Sequence, residues 1–166
     1  GGLPNVEFLR ETGLVEDGAI PVDERLQTKH PDIYAAGDIA VAANPRTGEK
    51  NRIEHWTVAQ RHGRHVAGMM LGGTDSYDDV AFFWTKQQGL SLKYIGHAEK
   101  WDRIVYRGNV EDGAFTAGYY QDGRLRAAAG LQTAKEIIIL GEVMRAGKNV
   151  SPEELEDPTV DLRQFL

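Results

Sequence analysis

The 166-residue sequence contains no cysteine, so the chain has neither a disulfide framework nor thiol chemistry of its own. It has no run that approaches the ~18 consecutive apolar residues of a membrane-spanning helix, and no signal peptide opens it. Basic residues are in the minority in both halves of the chain, and the formal net charge is −6. The sequence therefore predicts a cytoplasmic protein that binds neither nucleic acid nor a membrane.

The composition is that of an ordinary globular protein, with 41% hydrophobic and 27% charged residues. The length suits one domain or two small ones. Residues 71–75 (LGGTD) have the composition of a linker, and the pattern of apolar residues changes behind them. We therefore predict two domains, residues 1–75 and residues 76–166.

A distinctive stretch, TKHPDIYAAGD, runs from Thr28 to Asp38. A short buried strand is predicted from Ile33 to Ala36, and Gly37 lets another group approach the backbone closely. Asp38 is then expected at the carboxyl end of that strand, where open α/β sheets bind ligands, and its carboxylate suits the hydroxyls of a sugar or sugar alcohol. A strand end at which the aspartate only caps the next turn explains these residues equally well.

The rest of the first region carries weaker signals. A short helix that ends at Gly13 and an extended piece at residues 19–22 are predicted. The small and polar residues 39–52 are predicted to form a loop.

A helix is predicted from Thr57 to Leu71. Small and apolar residues recur on one face, at Ala59, Gly63, Val66, Ala67 and Met70, so this face is expected to pack closely on a neighbour. The free N–H groups and positive dipole end at the helix start favour an anion or an electron-rich oxygen nearby. Trp56 could instead fasten the helix to the core, and Glu54 could be a solvated charge.

Behind residue 80 the pattern predicts five strands, at residues 81–87, 90–98, 103–108, 114–121 and 124–132. Asp122-Gly123 is a strong signal for a two-residue hairpin turn. Such a turn predicts three cross-strand pairs, Tyr120 with Leu125, Gly118 with Ala127 and Thr116 with Ala129. It also predicts one apolar strand face, made of Leu125, Ala127, Ala129 and Leu131.

Two helices are predicted after the strands. The helix from Ala134 to Arg145 is expected to cover the apolar face, and Ser151-Pro152-Glu153-Glu154 has the residues of a capped last helix. The predicted fold class is α+β, with a partial α/β segment followed by a small domain that has a roughly five-stranded antiparallel sheet and covering helices.

Three stretches resemble the pyridine nucleotide-disulfide oxidoreductase superfamily. Residues 28–38 are similar to its second FAD-binding motif, and residues 54–60 are similar to the segment whose helix start points at the pyrimidine edge of the flavin. Residues 83–87 (FWTKQ) resemble the opening of the carboxyl-terminal domain in the ferredoxin-reductase-like and apoptosis-inducing-factor-like branch. The catalytic histidine and glutamate of the glutathione-reductase branch have no counterpart after residue 76.

The resemblance implies a cofactor-binding role for several residues and implies no catalytic side chain. Asp38, together with Gly37, takes the position that binds the ribityl chain of FAD. The segment Glu54, His55, Trp56 and Thr57 takes a position near the flavin, and Trp84 is implied to form an aromatic wall beside it. By this resemblance the first domain is the carboxyl-terminal part of an FAD-binding domain.

The function that the resemblance implies is an NAD(P)H-dependent FAD oxidoreductase that passes electrons to an acceptor protein such as a ferredoxin. Both glycine-rich dinucleotide fingerprints of the family are missing from the sequence. We therefore expect the chain to be the carboxyl-terminal part of a longer protein, and to be colourless, inactive and able to self-associate by itself. A redox-linked interaction or scaffold domain without rapid turnover is the alternative.

Two further groups of side chains are candidates for binding. Lys86, Lys93, Arg103 and Arg107 are predicted on adjacent strands, where they could steer an acidic electron carrier, although a solvated face explains them too. His55, His62 and His65 could form a metal site, since His62 and His65 lie three residues apart on a predicted helix. No third ligand at a helical spacing is supplied by cysteine, aspartate or glutamate, so no metal site is predicted.

Overall fold

The computed structural model describes residues 2–44 and 46–166. The chain forms two compact units, residues 1–79 and residues 80–166. Each unit has a hydrophobic core of its own. Within the described residues, no helix is both long enough and apolar enough to cross a membrane.

The first unit contains a small mixed sheet. Strand β1 (Ile20–Val22) pairs in parallel with β2 (Ala40–Ala43), and β2 pairs antiparallel with β3 (Lys50–Asn51). The core beside this sheet consists of aliphatic side chains that lie far apart in the chain: Val6, Ile20, Val22, Leu26, Ala35, Ala40 and Val66.

Three helical segments complete the first unit. Short 3-10 helices span Glu7–Thr12 and Gly37–Ile39, and helix α1 spans Trp56–Met70. The first of them ends at Gly13, as predicted, because glycine adopts the left-handed conformation there, with a φ of 71°.

The predicted strand from Ile33 to Ala36 is wrong. In this segment Tyr34 forms only an isolated bridge with Gln27, because the chain folds back locally through hydrogen bonds such as that from Ala35 N–H to the Leu26 carbonyl. Asp38 consequently precedes strand β2 and lies in a 3-10 turn, instead of following a strand.

The predicted loop at residues 39–52 is also wrong, since it contains β2 and β3. The small side chains of Ala40–Ala43 give little local indication of a strand. These residues form a strand because they pair in parallel with β1, which lies some twenty residues earlier in the chain.

The buried face of helix α1 differs from the predicted face. The buried side chains are Val58, His62, Val66 and Met69, whereas Gly63 is exposed and an added Cβ there would meet no atom within 4 Å. The predicted face counted only small and apolar residues, whereas the buried face also contains a histidine, His62. Of the predicted small residues, Ala59 does allow a close approach, to Gly37.

The second unit confirms the predicted small domain with a five-stranded antiparallel sheet and covering helices. Its strands are β4 (Phe82–Gln87), β5 (Leu90–Gly96), β6 (Arg103–Asn109), β7 (Ala114–Gln121) and β8 (Arg124–Leu131), in the spatial order β4-β5-β8-β7-β6. Helix α2 spans Ala134–Arg145, α3 spans Pro152–Glu156, and a 3-10 helix spans Leu162–Phe165. The fold class is therefore α+β, as predicted.

The β7–β8 hairpin turns at Asp122-Gly123 as predicted, with positive φ angles of 52° and 71° at these two residues. Tyr120 lies opposite Leu125, also as predicted. One step further the register shifts, because Arg126 is an extra residue in β8 that forms a bulge. The observed pairs beyond it are Tyr119–Ala127, Gly118–Ala128, Ala117–Ala129 and Thr116–Gly130.

The bulge also corrects the predicted apolar face of β8. The core cluster contains Leu125 and then Ala128, because the extra residue moves the inward positions by one. Helix α2 covers this face with Ile137, Leu140 and Val143, which are fully buried.

Helix α3 begins as the sequence predicts. Ser151 accepts a hydrogen bond from the backbone N–H of Glu154, and the Glu154 side chain accepts one from the backbone N–H of Ser151. Pro152 occupies the first turn, where a missing N–H costs nothing.

Candidate functional site

The turn that carries Asp38 packs against the beginning of helix α1. Gly37 has a φ of 77°, and a Cβ added to it would lie 3.2 Å from the Cβ of Ala59. Both the backbone conformation and the narrow space therefore favour glycine at this position. The contact places Asp38 close to the start of α1.

The carboxylate of Asp38 is available to a ligand. Its side chain is exposed, and no hydrogen bond or ion pair to it is found among the described residues. It lies close enough to His55 for the two side chains to interact electrostatically. An exposed carboxylate held on a short packed turn can accept hydrogen bonds from hydroxyl groups.

His55 caps helix α1. Its Nδ1 accepts a hydrogen bond from the backbone N–H of Thr57 at 3.3 Å, and the same atom lies 2.6 Å from the Thr57 hydroxyl. Partial burial lowers the pKa of His55 below its ordinary value, against the opposing effect of the Asp38 carboxylate. Near neutral pH the imidazole is therefore neutral, as an acceptor at Nδ1 must be.

The other residues predicted at the helix start have different surroundings. Trp56 is the first residue of α1 and is 59% exposed, so it is not part of the buried core. Glu54 forms an ion pair with Arg52 at 2.7 Å.

The structure thus brings Gly37, Asp38, His55, Trp56 and Thr57 together at one end of α1. This set of groups fits FAD. A carboxylate matches the hydroxyls of a ribityl chain, and the positive end of a 15-residue helix matches an electron-rich ring edge.

Sequence reasoning missed the role of His62. Its Nδ1 accepts a hydrogen bond at 3.2 Å from the backbone N–H of Gly37, and both residues are buried. The ring also meets Tyr77 edge-on, with 4.6 Å between ring centroids. The only sequence signal was a histidine one turn after Ala59, on the same side of α1.

His62 and its neighbours form a small, partly buried polar group. Tyr77 donates a hydrogen bond to Asp79 at 3.4 Å, and Arg61 forms an ion pair with Asp79. Burial and the neighbouring His65 lower the pKa of His62 to about 4, although Asp79 acts in the opposite direction. Burial and Asp79 raise the pKa of Tyr77.

The depressed pKa of His62 predicts acid sensitivity of the first unit. Because the folded pKa of about 4 lies below the ordinary 6.5, the unfolded state binds more protons between these values. The stabilising contribution is present above pH 6.5 and is lost as the pH falls toward 4, by roughly 3 kcal/mol. Urea unfolding followed by the NMR signals of residues 56–70 measures this loss, and His62→Asn should reduce it. An unchanged pH dependence in that variant would contradict the prediction.

Trp84, the remaining predicted site residue, belongs to the second unit. It lies on β4 opposite Lys93 of β5, stacks on Phe82 with 5.9 Å between ring centroids, and is 47% exposed. Its large exposed indole can contact a ligand, and its role beside the flavin stays a prediction.

The prediction that four basic residues lie on adjacent strands is wrong. Lys86 and Lys93 lie on β4 and β5, whereas Arg103 and Arg107 lie on β6, at the opposite edge of the sheet. Arg103 forms ion pairs with Glu153 and Glu156, and Arg107 forms one with Glu136. The order of the strands in the sequence does not reveal this separation, because β8 and β7 lie between β5 and β6 in the sheet.

Comparisons with known proteins agree with this architecture. Residues 82–166 match the reductase C-terminal family, and residues 1–63 match the pyridine nucleotide-disulphide oxidoreductase family. The ferredoxin–NAD(+) reductase component of the anthranilate 1,2-dioxygenase system of Burkholderia cepacia is 36% identical over 100% of the chain and 41% of its own length. Apoptosis-inducing factor 3 of Mus musculus is 32% identical over 94% of the chain and 26% of its own length.

A solved structure resembles the chain closely. The crystal structure of the covalent putidaredoxin reductase–putidaredoxin complex matches with a TM-score of 0.92 and 29% identity, over 99% of this chain and 40% of that one. The chain therefore spans less than half the length of these relatives. The resemblance based on residues 28–38, 54–60 and 83–87 is confirmed. The chain belongs to the pyridine nucleotide-disulphide oxidoreductase superfamily, in the ferredoxin-reductase-like branch that carries the reductase C-terminal domain.

Proposed function

We propose that the chain is the carboxyl-terminal part of an NAD(P)H-dependent FAD oxidoreductase that delivers electrons to a ferredoxin-like protein. The observation that carries the proposal is the exposed Asp38 carboxylate beside the start of α1. Similarity along the whole chain to a ferredoxin–NAD(+) reductase component supports it. Under this proposal, residues 1–75 belong to the FAD-binding domain and residues 76–166 form the carboxyl-terminal reductase domain.

The side chains contribute placement and electrostatics. FAD, when bound, would supply the redox chemistry, since a flavin accepts a hydride from a nicotinamide and releases electrons singly. Asp38 would hold the ribityl hydroxyls, because an ionised acceptor forms stronger hydrogen bonds than a neutral one. The positive dipole end of α1 would stabilise negative charge on the ring edge.

The proposed acceptor is a small acidic electron carrier. Lys86 and Lys93 lie on the paired strands β4 and β5 and could attract it electrostatically. Arg103 and Arg107 are engaged with glutamates of their own domain, so we assign them no part in this attraction.

A cytoplasmic location is part of the same proposal. The reaction consumes NAD(P)H, which cytoplasmic metabolism regenerates, and the acceptor has to be present in the same compartment. Activity confined to the cytoplasmic fraction of the source cells is expected. Recovery of the activity outside that fraction would contradict this location.

Turnover separates the proposed reductase from a redox-linked scaffold, the second candidate. Apoptosis-inducing factor 3 is similar to the chain and its name states no reductase activity, so the scaffold remains the second candidate. The full-length protein, supplied with ferredoxin and a terminal one-electron acceptor, is expected to oxidise many NADH or NADPH molecules per flavin, at about 1 s⁻¹ or faster. Slow oxidation with a full complement of flavin would favour the scaffold.

The 166-residue chain alone is the control for this assay. We expect it to be colourless and inactive, because it lacks the glycine-rich turn that binds the FAD pyrophosphate in Rossmann-type domains. A purified chain that retains stoichiometric FAD would contradict the assignment of the pyrophosphate site to residues outside it.

Replacing Trp84 by phenylalanine tests the aromatic wall. The change keeps most of the apolar area, so the unfolding free energy should fall by less than ~1.5 kcal/mol. The flavin absorption spectrum or the rate of acceptor reduction in the full-length protein should nevertheless change. Trp101→Phe is the matched control, since Trp101 is equally exposed, at 48%, and lies outside the predicted site. Equal effects of the two substitutions would remove Trp84 from the site.

A further inference from the structure

Helix α1 holds Gly37 at two points one turn apart. Ala59 packs against it so closely that an added Cβ would lie 3.2 Å from the Ala59 Cβ, and His62 accepts the hydrogen bond from the Gly37 N–H. Gly37 is the first residue of its 3-10 helix, so its N–H has no partner within that helix. A buried backbone donor needs an acceptor, and His62 supplies it.

The His62 ring is itself held in place. Tyr77 packs edge-on against it, and the backbone N–H of Tyr77 donates to the Glu24 carbonyl at 2.6 Å. To accept at Nδ1 the ring must be neutral and carry its proton on Nε2. Its burial, with 5% of its surface exposed, favours this neutral form.

We propose that His62 is a positioning residue of the flavin site: by accepting the Gly37 N–H it fixes the backbone from which Asp38 projects, without contacting the cofactor itself. This inference rests on the proposed function. It assigns to the buried face of α1 the task of placing a carboxylate on the exposed side of the same turn.

A purely structural role would require only that the side chain at position 62 fills its space, whereas the proposed role also requires a hydrogen-bond acceptor. An apolar side chain such as leucine would fill the space beside Tyr77, but it would leave the Gly37 N–H without an acceptor. Asparagine is smaller, yet its Oδ1 can stand where the histidine Nδ1 accepts. The two substitutions therefore separate packing from acceptor function.

The test measures FAD affinity in the full-length protein for His62→Leu, His62→Asn and the control His65→Leu. His65 lies one turn further along α1, with its ring 5.5 Å from that of Tyr77, and makes no hydrogen bond to Gly37. We expect the dissociation constant for FAD to be at least tenfold larger than that of the wild type in His62→Leu. In His62→Asn it should be within about threefold of the wild-type value, and in the control it should change little. Urea unfolding of each apoprotein checks that the fold persists.

The outcomes distinguish this inference from the function on which it rests. A wild-type protein without flavin would overturn the proposed function. Flavin bound normally by the wild type, with His62→Leu no weaker than His65→Leu, would overturn the role of His62 alone. The same holds if His62→Asn binds as weakly as His62→Leu although both apoproteins are folded. If His62→Leu fails to fold, His62→Gln and His62→Asn are compared instead, at 25 °C. Loss of FAD affinity in both of these variants would count against the proposal.

Discussion

Replacing Asp38 by alanine in the full-length protein is expected to lower its affinity for FAD by about tenfold to a hundredfold. The proposed hydrogen bonds join an ionised carboxylate to hydroxyl groups, and such bonds are individually worth ~1.5–3 kcal/mol. At about 1.4 kcal/mol per factor of ten, the loss of one such bond gives this range. Since Asp38 is exposed and makes no hydrogen bond within the described chain, the fold should remain intact.

The measurement is flavin content after dialysis, followed by titration of the apoprotein with FAD. Asp32→Ala is the matched control, because Asp32 is an exposed aspartate only six residues earlier. Asp38→Asn adds a second comparison, since it keeps an acceptor oxygen but removes the charge. Its affinity for FAD should lie between those of the wild type and Asp38→Ala. Equal flavin content in the wild type and Asp38→Ala would remove Asp38 from the site.

Replacing Arg107 by methionine is expected to lower the unfolding free energy of the second unit by about 3–5 kcal/mol. Arg107 is 11% exposed and pairs with Glu136 at 3.2 Å. Its guanidinium also donates to four backbone carbonyls at and beyond the end of α3, those of Leu155, Asp157, Pro158 and Val160. Methionine keeps the aliphatic stem but leaves these acceptors and the glutamate without their donor.

Arg103→Met is the control for this prediction, because Arg103 lies on the same strand and also pairs with glutamates, Glu153 and Glu156. Its ion pairs are solvent-exposed, and such pairs contribute little to stability. Urea unfolding of the 166-residue chain, followed by the NMR signals of residues 80–166, compares the two variants. Similar losses in both would show that Arg107 does not hold the segment after α3.

Short-range chemistry in the sequence predicted several elements correctly. Asp122-Gly123 specifies a hairpin turn because both residues must adopt positive φ, and the structure has that turn. The serine, proline and glutamate at residues 151–154 specify the start of α3 because capping involves only neighbouring residues. Helix α2 has the bounds that its apolar periodicity predicted, Ala134 to Arg145.

Two of the errors concern how strands pair with one another. Strand β2 escaped prediction because its alanines become a strand only by pairing with β1. The β8 bulge was not predicted because no residue type around Arg126 indicates an extra residue. Every cross-strand pair beyond the bulge is therefore shifted by one residue from its predicted partner.

For the candidate site, the sequence by itself determined which residue types stand at residues 37–38 and 54–57, together with the helix that begins there. The tertiary structure alone decided that Asp38 precedes a strand and meets the start of α1, and that His62, twenty-five residues further on, accepts the Gly37 N–H. The physical reason is that turns and caps are satisfied by neighbours in sequence. The partner of a buried N–H, in contrast, is whichever acceptor the packing of α1 brings against it.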